Sequence, residues 1–431
     1  MNKKITITKT ECKYVREKLL APFGFKGGFL SELWQIVSKV ECKESYGVGV
    51  GLQSVLWSDA EIFRTMPEED GNLLMFRITE YAMTLLTGHT GNTPIELIDS
   101  IYDDVLAYAR KISPTGNSLA ETFVRNALVS VDNALWQMFG KLAKTEDIMM
   151  IIPDQYHEAL GERQETLCNV PLISYGVKED EIRRLLDTGT VLLKIKIGFD
   201  NGGAMTKQEM LEWDKARIKQ IHDIAKSYTT TYTESGHILY YMDANGGYDT
   251  IERITSLIEY TKEIGVYERI ALLEEPFPSG DMTNVSSLRV LVAADESVHS
   301  LEDAKERIAL GYSAITLKPI AKTLSETLKI LKYAYEMNIP CFCADLTVPP
   351  VMVEFNRNVA ARIPRIPGMK AGILESNGAQ NYVGWERLKS YHPMADAKKS
   401  FGEDGLYHQD DEFFENSGGI FRPSNYYDNL F

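Results

Sequence analysis

The sequence predicts an α/β protein in which an N-terminal α+β capping domain precedes a (β/α)8 TIM-type barrel, with a C-terminal tail completing the cap. Three observations carry this prediction. From Val170 onward, eight short apolar runs mostly alternate with stretches of amphipathic helical period, the rhythm of a parallel barrel. The charged residues of the later runs stand at the carboxyl end of each run and never at its start, which is the end where barrels build active sites. Ahead of these runs, strand-like segments come first and helical ones after, the order of an α+β unit. The expected boundaries are 1–140 for the cap, 141–384 for the barrel and 385–431 for a return segment packing on the cap.

In chain order, ITITKTECKYV and LWQIVSKVECKE read as strands joined by the glycine-bearing loop LLAPFGFKGGFLSE, and GVGVGLQSVLW as a third strand. Four helical patterns follow: AEIFRTM, LLMFRITEYAMTLL, IELIDSIYDDVLAYARKI behind a proline, and AETFVRNALVSVDNALWQMFGKLA. The barrel runs are VPLISYG, VLLKIKIG, ILYYMDA, IALLEEP, LVAADES, AITLKPI, PCFCADL and AGILESN. A polar insertion, GFDNGGAMTKQE, lengthens the connection after the second run, and the tail is polar and aromatic.

With 431 residues, 44% of them hydrophobic, the chain can bury a large core as a soluble globular protein. A net charge of -15 argues against nucleic acid or an anionic membrane as partner, since both require basic surface. The basic N-terminus lacks an apolar stretch behind it, and no run approaches the length of a membrane span. A cytoplasmic location is therefore expected. Five scattered cysteines form no CxxC pair, and Cys341 and Cys343 read as small buried hydrophobes.

Asp243, Glu274 and Asp295 end three consecutive strands, with Glu275 and Glu296 next to two of them. Any one could be a turn or cap residue. Three together on one rim would repel and raise each other's pKa unless a cation neutralised them, and hard oxygen donors select a divalent ion such as magnesium. Strand alternation turns Glu275 away from the barrel axis, leaving Glu274 as the ligand. In VLLKIKIG, Lys194 and Lys196 are two residues apart and so share one face. They would point into the acidic rim, with Lys318, ending AITLK, entering from the other side. All three are candidate acid/base groups for a small carboxylate substrate. Mutual proximity, burial and the cation should depress the pKa of the reacting lysine.

These residues match a known family. Over about the first 380 residues the chain resembles the enolase superfamily, in its muconate lactonizing enzyme and mandelate racemase-like branch, through SVDNALWQMFGK, KIK, DAN, EEP, ADES and the lysine of ITLKP. The resemblance implies Mg2+ on Asp243, Glu274 and Asp295, acid/base roles for Lys196 and Lys318, an electrostatic role for Lys194, and a supporting place for Glu296 behind the ligands. Asn245 resembles the family's asparagine of the third strand, which touches substrate or backs the ligands. The shared step is abstraction of the proton α to a carboxylate, giving an enediolate held by the metal. Lysine on both sides resembles the muconate cycloisomerase, succinylbenzoate synthase and dipeptide epimerase group. The chain departs from that group in reading IAKTLSE where glycines commonly follow the sixth-strand lysine, and LESNG where dipeptide epimerases usually carry Asp-x-Asp.

Racemisation or epimerisation is the simplest reading, because both faces of a carbon are served. Elimination or cycloisomerisation by the same lysines is the alternative, and a non-catalytic binding barrel the third. Capping segments 21–28 and 52–59 are expected over the barrel mouth, offering Phe25, Lys26 and Trp57 to the substrate. Asp345 and Glu375, ending the last two runs, are further candidate contacts, Glu375 for a cationic substrate group. A homo-oligomer is expected.

Overall fold

The computed structural model describes residues 4–25, 28–394 and 404–431, without the side chains of residues 23–28. In the cap, β1 (Ile5–Phe25), β2 (Gly28–Cys42) and β3 (Tyr46–Gln53) form an antiparallel meander, with the two-residue β4 (Thr90–Gly91) added to β1. The expected glycine-rich loop is instead the far end of the β1–β2 ladder, where Phe23 pairs with Leu30 and Phe25 with Gly28. Glycine and proline here read as a turn, yet the ladder takes in Gly24 and Gly28. Register shifts between Lys18 and Phe23, the interval holding Pro22, which has no N–H to give.

β3 is an edge strand, and helix Glu121–Ala143 covers it. The helix reaches the strand's open backbone through amide side chains: Asn126 Nδ2 donates to Leu52 O, Asn133 Nδ2 to Val50 O, and Val48 N donates to Gln137 Oε1, each at 2.8 Å. An edge so paired cannot template another chain. Close approach requires glycine on that face, since a Cβ on Gly49 would overlap the backbone of Ser130 and Ala134. Gly49→Ala should therefore destabilise the fold by about 3 kcal/mol, read as a lower urea midpoint at unchanged slope. A wild-type midpoint would refute this packing.

The barrel strands are β5 (Thr166–Asn169), β6 (Leu172–Ile173), β7 (Leu192–Lys196), β8 (Leu239–Asp243), β9 (Ile270–Glu274), β10 (Val292–Ala294), β11 (Ala314–Leu317), β12 (Cys341–Cys343) and β13 (Gly372–Leu374). They pair in parallel in sequence order from β6 to β13, and β13 then pairs with β5. β5 and β6 are two halves of one strand, interrupted at Val170 and Pro171, and each half pairs with a different neighbour. The barrel thus closes with eight strands. β14 (Leu406–His408), from the tail, adds antiparallel to β5. The tail also reaches the cap: Tyr427 Oη donates to Gln35 Oε1 at 2.6 Å.

The cap is tied to the connection that follows β11. Ser325 Oγ donates to Asp132 Oδ1 at 2.5 Å, and Arg125 faces Glu326 at 3.2 Å in a buried ion pair. All five cysteines are free thiols. Among the described residues, no helix is long and apolar enough to cross a membrane.

Candidate active site

Strand register assembles the site. Lys196 lies opposite Asp243, Asp243 opposite Glu274, and Glu274 opposite Ala293, two residues before Asp295. The carboxyl ends of β7 to β10 therefore present one lysine and three carboxylates side by side. Lys318 follows β11, across the barrel from β7. All of these side chains are buried.

The ammonium groups and carboxylates are interlaced. Lys194 Nζ stands 3.0 Å from Asp243 Oδ2, 3.0 Å from Glu274 Oε2 and 3.1 Å from Glu375 Oε2. Lys196 Nζ is 2.6 Å from Asp243 Oδ2 and also donates to Asn245 Oδ1. Asn245, at a left-handed φ of 43°, passes the contact on by donating from Nδ2 to Glu296 Oε1 at 2.9 Å. Lys318 donates to Asp295 Oδ2.

Burial alone would raise the Asp243 and Asp295 carboxyls, but Lys194 with Lys196 and Lys318 with Lys322 hold them well below the usual range. Glu274 goes the other way: burial, then Asp243 and Asp295, push it well above the ordinary value. Burial by itself would lower Lys194 and Lys318. The carboxylates outweigh it, Asp243, Glu274 and Glu375 raising Lys194, and Asp295, Glu296 and Glu274 raising Lys318. Among the protein's own groups, Lys194 and Lys318 are thus raised because each ammonium faces more acid than base.

The donor set suits a hard divalent cation in its chemistry. Glu274 Oε1 accepts from Thr316 at 2.9 Å, while buried Oε2 faces Lys194 at 3.0 Å and accepts no well-aligned hydrogen bond among the described residues. A carboxyl pushed toward its neutral form by two adjacent carboxylates is one a cation would return to its charged form. Coordination geometry itself is not formed: among the described residues no three acidic, histidine or cysteine side chains converge at metal-binding spacing. Asp243 and Asp295 are turned to lysines instead.

Glu275 does not line the reaction cavity, yet it is buried. It is 1% exposed, at φ 39°, and its Oε2 accepts from Asp295 N at 2.7 Å and Ser297 Oγ at 3.1 Å. Burial and then Glu296 push its pKa up to about 7. It braces the loop that carries Asp295. Asp345, pushed up to about 6 first by burial and then by Glu375, accepts from Asn377 N at 2.7 Å. Glu375 Oε2 accepts from Lys194 and from Asp345 N, so part of its charge is engaged by the protein's own lysine at the cavity wall.

One cavity of about 60 Å³ is lined by Lys194, Lys196, Asp243, Asn245, Asp295 and Glu296, and from the other side by Lys318, Asp345 and Glu375. Glu274 lies beneath it, fully buried. The cap closes it with Leu30, Leu33, Ser54 and Trp57. Trp57, expected in a loop, stands on the short helix Val55–Ser58, its ring centroid 4.7 Å from Lys318 Nζ. Lys26 and the side chain of Phe25 lie outside the described residues.

Lys322 was not anticipated. It is 1% exposed and donates to the Asp295 carbonyl at 2.6 Å and to Oδ1 at 3.2 Å. The sequence signal was its place one turn after Lys318, in a run otherwise apolar.

The profile of the enolase C-terminal domain-like family matches residues 178–381. No curated protein sequence matches the chain. Among solved structures, a mandelate racemase/muconate lactonizing protein from Herpetosiphon aurantiacus superposes with a TM-score of 0.64 at 18% identity, over 94% of this chain and 96% of that one. An N-succinyl Arg/Lys racemase from Bacillus cereus gives 0.62 at 17% identity, over 88% and 89%. A dipeptide epimerase from Enterococcus faecalis, complexed with Mg and L-Leu-L-Tyr, gives 0.60 at 18% identity, over 86% and 90%. Residues 178–381 are thus similar to the enolase C-terminal domain-like family, and the whole chain shares the fold of these solved structures.

Proposed function

We propose that the chain is a magnesium-dependent racemase or epimerase acting on the carbon α to a carboxylate. The observation that carries this reading is the placement of Lys196 and Lys318 at the rim of one cavity, on strand ends across the barrel from each other. A substrate carbon between them meets an ammonium or amine on each face. One lysine removes the α proton and the other returns a proton to the opposite face, which inverts the centre. Similarity to a racemase and to dipeptide epimerases supports this reaction type.

Asp243, Glu274 and Asp295 would hold the Mg2+. When bound, the ion supplies positive charge against which the substrate carboxylate accumulates negative charge as the α proton leaves. Lys194, held by Asp243, Glu274 and Glu375, adds a fixed positive charge on the β7 side. Asn245 orients Lys196 through its Oδ1. Trp57, Leu30 and Leu33 exclude water from above.

Incubation of a racemic carboxylic-acid library with the magnesium-loaded protein in deuterated water tests this. A true substrate should acquire deuterium at its α carbon in both stereoisomers, with no new product. Loss of water or ring closure would replace this reading by the eliminating or cyclising one. Absence of exchange across the library would remove the catalytic reading.

A further inference from the structure

A cavity of about 500 Å³ adjoins the reaction cavity on the side of β7, β8 and β9. The two share Trp57, Tyr175, Asn245 and Glu296 in their linings, so these side chains form the wall between them. The inner space is the smaller of the two, at about 60 Å³. A substrate longer than a short acid would extend from it past the shared wall.

The charges lining that space are unequal in their commitments. Each acid already has partners: Asp59 Oδ1 accepts from the backbone N–H of Glu61 and Ile62 at 3.0 Å, and its Oδ2 from Ala120 at 3.0 Å. Glu296 is held by Asn245 at 2.9 Å and lies in the field of Lys318, and Asp200 accepts from Gly202 N at 3.1 Å. The cations are freer. Arg64 is exposed and forms no ion pair among the described residues. Lys207 Nζ donates to the Gly247 carbonyl at 2.8 Å and lies in the field of Asp249, with no carboxylate within ion-pair range among the described residues.

We propose that this outer cavity binds a second anionic group of the substrate, through Arg64 from the cap and Lys207 from the connection after β7. The inference rests on the carboxylate site of the proposed function and names its substrate class: acids with a carboxylate or phosphate at the far end. The cap and the barrel each contribute one cation, so the distal group is gripped only when both are in place. Arginine offers a planar pair of donors and lysine a point charge, a combination suited to an oxyanion. The chain connecting the two anionic ends would pass Trp57 and Tyr175, which offer apolar faces.

The test is calorimetry on the magnesium-loaded protein with adipate, pimelate and suberate, each compared with hexanoate, heptanoate or octanoate of the same carbon number. At least one diacid should bind about tenfold more tightly than its monoacid, the size of one charge-assisted contact at a partly exposed site. In the Arg64→Gln/Lys207→Gln double variant, that advantage should fall below about twofold, with magnesium affinity unchanged. Equal binding of diacids and monoacids to the wild type, or an advantage that survives the double substitution, overturns the proposal while leaving the inner carboxylate site standing. Failure of every acid in both series to bind overturns both readings together.

Discussion

Lys318→Ala is expected to lower epimerisation by about a thousandfold, while leaving deuterium exchange on the one stereoisomer whose α hydrogen faces Lys196. The reciprocal variant, Lys196→Ala, should exchange the other isomer alone. The argument is positional. The two lysines end strands separated by β8, β9 and β10, and each ammonium is fixed by a different carboxylate, Lys196 by Asp243 and Lys318 by Asp295. Neither can cross the cavity to replace the other. Chirally resolved mass spectrometry of recovered substrate reads the asymmetry directly. Exchange of both isomers by Lys318→Ala at the wild-type rate would make Lys318 an electrostatic group, and one-base elimination would then account better for the site.

The second large effect is expected at Glu274. Glu274→Gln should weaken magnesium binding by about a hundredfold or more and abolish the rise in melting temperature that magnesium gives the wild type. The metal-free variant should melt no lower than the metal-free wild type, because burial, Asp243 and Asp295 already disfavour the Glu274 charge. That pairing of outcomes separates a ligand from a structural residue, since loss of a structural residue would lower both curves. Glu275→Gln, which keeps an acceptor for Asp295 N and Ser297 Oγ, should retain the magnesium shift. Equal affinity in wild type and Glu274→Gln would remove Glu274 from the ligand set.

The barrel and its rim were legible because chemistry concentrates at a readable place. A charge that ends an apolar run has one meaning in a parallel barrel, and Lys196, Asp243, Asp295 and Lys318 all announce themselves that way. What the sequence concealed depends on partners remote in the chain. Pro22, Gly24 and Gly28 have the composition of a turn, but the strand opposite Gly24 and Phe25 carries the ladder on to Gly28. Alternation sends Glu275 away from the barrel axis but does not tell that it is buried there, where its carboxylate holds the loop after the next strand. Lys322 stands in an otherwise apolar run, a weak signal that gains its meaning only where the fold buries it on Asp295. The broken first strand is equally silent, since Pro171 marks a strand start as readily as an interruption.

That broken strand has a consequence for how the chain emerges from the ribosome. Its second half, Leu172–Ile173, meets Leu192–Lys196 almost at once. Its first half must wait for Gly372–Leu374 on one side and for Leu406–His408 on the other. At the usual pace of synthesis that wait lasts roughly ten to fifty seconds, during which Thr166–Asn169 is a bare edge on a half-built cylinder. Neighbouring nascent chains on the same messenger carry the identical edge. Slower elongation lengthens that exposure, whereas supplying residues 404–431 as a separate peptide shortens it, so the yield of soluble protein becomes a matter of timing as much as of stability.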